Sequence, residues 1–78
     1  MLRNRLKEIR MREYMMNSSK FAEMLGLNLG TYSQIENHKK SVSLENAYEI
    51  AKKLNRNIED IWYKWYIIYP YFLQNYFV

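Results

Sequence analysis

The stretch Phe21–Lys40, "FAEMLGLNLGTYSQIENHKK", decides the fold. Phe21, Ala22 and Leu25 fall on one side of a helix, and Asn17 ahead of them is a residue type that caps helix starts. Gly26 follows where a helix end takes a left-handed residue, a conformation glycine reaches without a Cβ penalty. Leu27 then plugs inward and Asn28 caps again. Tyr32 and Ile35 mark the buried stripe of a further short helix, while Leu29, Gly30, Ser33 and Gln34 point out. Two readings fit this break and restart. One is a helix pair that aims its second member outward; the other is an ordinary loop inside a small all-α core.

Outward from this segment, both flanks read as helical. Leu2, Leu6 and Ile9 recur at i, i+4 and i+7 with charges between them, which predicts a first amphipathic helix ended by "YMMN". After the basic turn "NHKK", Ser43 caps a fourth helix whose apolar face is Leu44, Ala47, Tyr48, Ile50, Ala51 and Leu54. Asn57 caps a fifth, with Glu59 and Asp60 in the first turn where the helix dipole favours acids. Ile58, Ile61, Trp62 and Trp65 are its inward candidates, and Pro70 stops it near Ile68. The expected architecture is all-α, a five-helix bundle over residues 1–69 with an aromatic tail over 70–78. No βαβ alternation and no glycine-rich phosphate loop is present.

Seventy-eight residues fit one domain, close to the size below which a core needs staples. Cysteine is absent, so neither disulfides nor thiolate metal sites are expected, in keeping with a reducing cytoplasm. The opening "MLRNRLKEIR" lacks the apolar run of a secretory signal. The net charge of +4 is uneven: residues 1–40 hold eight Lys/Arg against four acids, and residues 41–78 hold four of each. A local basic surface attracts polyanions, nucleic acid first among them; a merely solubilising charge is the alternative.

Taken together, these segments resemble the helix-turn-helix domains of the Xre and phage Cro/repressor family. "FAEMLGL" looks like that family's second helix and turn, "GTYSQIEN" like its recognition helix, and "SLENAYEIAKKLNRNIEDIW" like its last two helices. The resemblance covers about Leu2 to Tyr63. In such a motif Ala22 must be small where two helices touch, Gly26 turns the chain, and Leu27, Tyr32 and Ile35 fill the wedge beneath. The third helix then enters the major groove of DNA, whose width admits one α-helix.

By position, the resemblance makes Leu29, Gly30, Ser33 and Gln34 the base-reading set. An amide such as Gln34 can pair bidentately with adenine, and Leu29 can touch a thymine methyl. Asn17, Ser18, Asn28, Thr31, Asn37, His38, Lys39 and Lys40 fall to the DNA backbone, which positions rather than specifies. Four departures from the family pattern stand out. Leu29 and Gly30 replace polar residues, Ser18 replaces a glutamine, and His38 replaces a glycine after the recognition helix. The connection between the first two helices looks one residue long. The resemblance also sets Arg10 opposite Glu36 as a structural ion pair, the alternative being two unrelated surface charges.

From Trp62 onward, "WYKWYIIYPYFLQNYFV" holds nine aromatics in seventeen residues. Three uses compete for it: thickening the core, forming a two-fold dimer interface, or contacting a membrane or another protein. The dimer is the expectation, with Trp65, Tyr69, Tyr71, Phe72, Tyr76 and Phe77 as candidates. A spanning helix is disfavoured, because fourteen residues and a proline follow Lys64 where roughly twenty are needed.

The resulting expectation is a cytoplasmic, sequence-specific regulator of transcription that binds double-stranded DNA, a homodimeric repressor of phage or mobile-element type. An antitoxin that covers a toxin with its tail, or a restriction-modification controller, is the alternative; a toxin or anti-repressor would be the protein partner. No cofactor and no metal is expected. Enzymatic chemistry is not expected either: the one histidine lies in a basic turn, and no serine has an identifiable base partner.

Overall fold

The computed structural model describes residues 2–64. A short strand β1 (Leu2–Asn4) leads into helix α1 (Leu6–Ile9), which continues as a π-helical turn over Arg10–Tyr14. Helices α2 (Ser18–Met24), α3 (Leu29–Glu36) and α4 (Leu44–Lys53) follow. A single 3-10 turn, Ile58–Asp60, then leads to strand β2 (Trp62–Lys64). The two strands pair antiparallel, with Leu2 opposite Lys64, Arg3 opposite Tyr63 and Asn4 opposite Trp62.

Each of the three longer helices starts and stops by local chemistry. Asn17 Oδ1 accepts from the Lys20 amide at 2.9 Å, Asn28 Oδ1 from Thr31 at 2.7 Å, and Ser43 Oγ from Asn46 at 3.2 Å. These caps satisfy amides that have no partner within the helix. All three helices end in paired 6→1 and 5→2 hydrogen bonds closed by a left-handed residue: Gly26 (φ 75°), His38 (φ 62°) and Asn55 (φ 55°). At α2, for instance, Leu27 N–H donates to Ala22 O and Gly26 N–H to Glu23 O.

The core gathers one face from each element. Leu6 and Ile9 of α1, Phe21, Ala22 and Leu25 around α2, and Tyr32 and Ile35 of α3 are buried together. Ala47, Ile50, Ala51 and Leu54 close it from α4, and Ile61 and Trp62 from below. Phe21 stacks edge-on against Tyr14 at 5.4 Å and against Tyr32 at 5.6 Å between ring centroids. Burying each such large side chain contributes about 1.5–3 kcal/mol.

The mostly helical architecture matches the expectation, with three corrections. Leu2 lies on β1 and is about half exposed, so α1 begins at Leu6 rather than Leu2. Its helical spacing was coincidental, because backbone pairing with a strand some sixty residues away decides the conformation there. Among the described residues the fifth helix is replaced by the 3-10 turn and β2. The aromatic "WYK" run meets β1 and takes the extended form that such residues favour. Leu44 and Tyr48, placed on the inner face of α4, stand 75% and 56% exposed. Nothing among the described residues covers them. The tail candidates Trp65, Tyr69, Tyr71, Phe72, Tyr76 and Phe77 lie outside the described residues, as do the helix end expected near Ile68 and the boundary drawn at 69/70.

Candidate nucleic-acid interface

Helix α3 is two-sided. Tyr32, Ile35 and Glu36 are buried, whereas Leu29, Gly30, Gln34 and Asn37 are exposed and Thr31 and Ser33 half-buried. Residues 29, 30, 33, 34 and 37 follow the i, i+1, i+4, i+5, i+8 pattern of one helix face. The four residues expected to read bases therefore share that face, with Asn28 at its start and Asn37 at its end. His38, Lys39 and Lys40 continue beyond it, the two lysines exposed. Asn17 and Ser18 sit at the start of α2, exposed and half-buried respectively.

The asparagines also serve the helices themselves. Asn17 and Asn28 spend their Oδ1 atoms on capping. Asn37 donates its amide to Ser33 O at 2.9 Å and lies 3.4 Å from Ser33 Oγ. Ser33, expected to read a base, is thus tied to Asn37.

Beneath the exposed face, one buried ion pair fixes the orientation of α3. Arg10 Nε donates to Glu36 Oε1 at 2.9 Å, with the two side chains only 11% and 7% exposed. The Tyr32 hydroxyl donates to the same oxygen at 3.0 Å. Arg10 Nη1 donates to Met16 O at 2.9 Å, which ties the ion pair to the entry of α2. Burial alone works against the Arg10 charge, but the hydrogen bond and charge of Glu36 outweigh it and raise the Arg10 pKa. Burial, reinforced by the Glu36 carboxylate, holds the Tyr32 phenol well above its ordinary value. The expected Arg10–Glu36 pair is therefore present.

The first helix runs into a π turn before α2, where the sequence led us to expect a connection one residue long. Arg10 O receives the amide of Met15, five residues on, and also that of Met16 at 3.3 Å. A wider turn absorbs one residue without unwinding the helix, and Met15 leaves it in a left-handed conformation (φ 49°). Arg10 thereby keeps its register with Glu36.

Two supports had no local signature in the sequence. Asn4 Nδ2 donates to Ile35 O at 2.8 Å, binding β1 to the last turn of α3. Its Oδ1 accepts from Leu6 N–H at 3.1 Å, an Asx turn that the Asn4–Leu6 spacing could have suggested. Lys53 Nζ donates to Leu25 O at 2.9 Å, where the last carbonyls of α2 lack helical partners. Ala22 and Leu27 take their expected places, one buried and the other half-buried against the core.

His38 stands where a left-handed residue closes α3. Its Nδ1 is buried and has no hydrogen-bond partner among the described residues. No cluster of His, Cys, Asp or Glu that suits a metal occurs among those residues, and none of their helices is long and apolar enough to cross a membrane.

No curated protein and no solved structure matches the chain. The helix-turn-helix family model HTH_3 matches residues 6–61, from the start of α1 to the residue before β2. That span contains the α2–α3 pair, its glycine turn and the ion pair beneath it. The chain belongs to this Cro/C1-type, Xre-like helix-turn-helix family of DNA-binding transcription regulators.

Proposed function

We propose that the protein is a dimeric transcriptional repressor that acts in the cytoplasm and reads a palindromic operator with α3. The observation that carries this reading is the exposed face of Leu29, Gly30, Ser33 and Gln34, set on a helix whose other side is locked by Arg10 and Glu36. In the major groove Gln34 pairs with an adenine edge, Ser33 reaches a neighbouring base, and Leu29 lies against a thymine methyl. Gly30 lets the helix approach closely. Asn17, Ser18, Asn28, Thr31, Asn37, His38, Lys39 and Lys40 hold the phosphates and set the register. Two copies place their α3 helices about 34 Å apart, one turn of DNA.

Selection of duplexes from a randomised pool by the purified protein tests the proposal. Enrichment of a two-fold symmetric site, with half-sites about one helical turn apart, is the expected result. Recovery of no sequence preference, with binding that only falls with salt, would contradict it.

A further inference from the structure

One apolar groove stays open at the edge of the core, beside the basic turn that follows α3. Leu2, Val42, Leu44, Ala47, Ile58 and Trp62 line a groove of about 210 Å³ between β1, the start of α4 and the 3-10 turn. Leu44, at 75% exposure, stands at its edge, and Tyr48 extends the apolar strip one turn along α4. Lys40 also lines the groove, the only charged side chain among the described residues to do so. A strip of this kind on the surface of a small protein marks a contact site.

The strand register shows which part of the sequence emerges beside it. Leu2 lines the groove and is paired directly with Lys64, the last described residue. The fourteen residues from Trp65 to Val78 contain seven aromatics and no charged side chain. Extended, fourteen residues reach up to about 50 Å, enough to cross to another molecule. Such a segment enters an apolar groove without desolvating a charge.

We propose that this groove receives the segment 65–78 of a second copy of the chain, and that the exchange is reciprocal. The inference rests on the dimeric reading above and names its contact. A groove of this size takes about one aromatic ring, and the aromatics left over on each segment find partners where two segments meet. Reciprocal exchange sets two aromatic segments side by side and covers both Leu44 strips. Because Lys40 borders the groove, the same contact steadies the basic turn that follows α3.

The chain contains no cysteine, which allows a clean crosslinking test. Full-length Leu44→Cys and Phe72→Cys proteins are mixed and oxidised, and the Leu44→Cys/Phe72→Cys double variant is oxidised alone. The expected products are a mixed covalent dimer from the first sample and a covalent dimer from the second. A crosslinked monomer from the double variant would overturn the proposal in favour of docking within one chain, and absence of any crosslink would overturn it outright.

A second variant reads the same contact without crosslinking. Leu44→Glu, at an exposed position, is expected to keep the wild-type circular dichroism and weaken self-association by about tenfold or more in sedimentation. An unchanged dimer would contradict the exchange. Binding of the same variant to a single half-site keeps the two claims apart. A Leu44→Glu monomer that still binds a half-site upholds DNA reading whatever the crosslinks show. A wild-type protein that crosslinks as expected but binds no duplex would remove the proposed function and leave the contact standing.

Discussion

Arg10 and Glu36 meet 2.9 Å apart in the interior, one from the π turn that ends the first helix and one from the last turn of α3. Glu36 Oε1 accepts from both the guanidinium and the Tyr32 hydroxyl, so a single carboxylate oxygen joins the two elements. Glu36→Ala strands the Arg10 charge in a buried site. Urea unfolding is expected to show a loss of about 3–5 kcal/mol, the range for breaking a buried pair at one partner. The double variant Arg10→Met/Glu36→Leu should recover most of that loss, since no unpaired charge remains. Recovery of none would mean that the pair itself is strongly favourable.

Tyr32 makes stability depend on alkaline pH. Burial, and then the hydrogen bond and charge of Glu36, raise its pKa above the value of 10.0 that an exposed phenol has. The folded state therefore holds the phenolic proton more tightly than the unfolded chain does. Its stabilisation is complete below pH 10 and is lost as the pH rises through the raised folded value, at about 1.4 kcal/mol per pH unit for one proton. Tyr32→Phe should remove this slope between about pH 10 and 12 while costing about 1.5–3 kcal/mol at neutral pH. Unfolding curves of both proteins at several pH values separate the two effects.

Gly26 and His38 close their helices in the same left-handed geometry, at φ 75° and 62°, yet only one is a glycine. Opposite substitutions should have opposite signs. Gly26→Ala is expected to cost about 1–2 kcal/mol, because a Cβ is strained there. That Cβ would also meet Lys53 Nζ at 2.9 Å and displace it from Leu25 O. His38→Gly relieves the same strain and removes a buried unpaired nitrogen, for a gain of about 0.5–1 kcal/mol after the entropy of a more flexible unfolded chain. Thermal or urea unfolding of each variant checks the signs.

These end signals account for much of what was legible in the sequence. Asn17, Gly26, Asn28 and Ser43 act within a few residues of themselves, so a local pattern was enough to place α2, α3 and the start of α4. Leu2 and Leu44 were misplaced, and Trp62 was given the right burial but the wrong element, because a partner distant in sequence, or the lack of one among the described residues, decides their surroundings. Asn4 and Lys53 donate to carbonyls on other elements, and no spacing rule connects them to Ile35 or Leu25. The outward face of α3 was legible, since its inward stripe was; what each residue on that face touches depends on a ligand.

Asn4 gives a further test of how α3 is held. Asn4→Ala removes both the bond to Ile35 O and the turn at Leu6. The expected cost is about 1–3 kcal/mol, and DNA affinity should fall for all sequences alike because the helix, not a reader, is disturbed. Fluorescence anisotropy on cognate and scrambled duplexes distinguishes this from a loss confined to one site.

Lys40 and Gln34 should separate positioning from reading. Lys40→Ala is expected to weaken binding to every duplex similarly and to flatten the salt slope by about one unit. The most direct test of base reading by α3 repeats duplex selection with Gln34→Ala beside the wild type. The expected result is loss of preference at one base pair in each half-site, symmetrically placed, with a penalty there of about 1–3 kcal/mol and the rest of the site retained. An unchanged selected site, or a uniform loss of affinity at every position, would contradict the assignment of α3 as the reading helix.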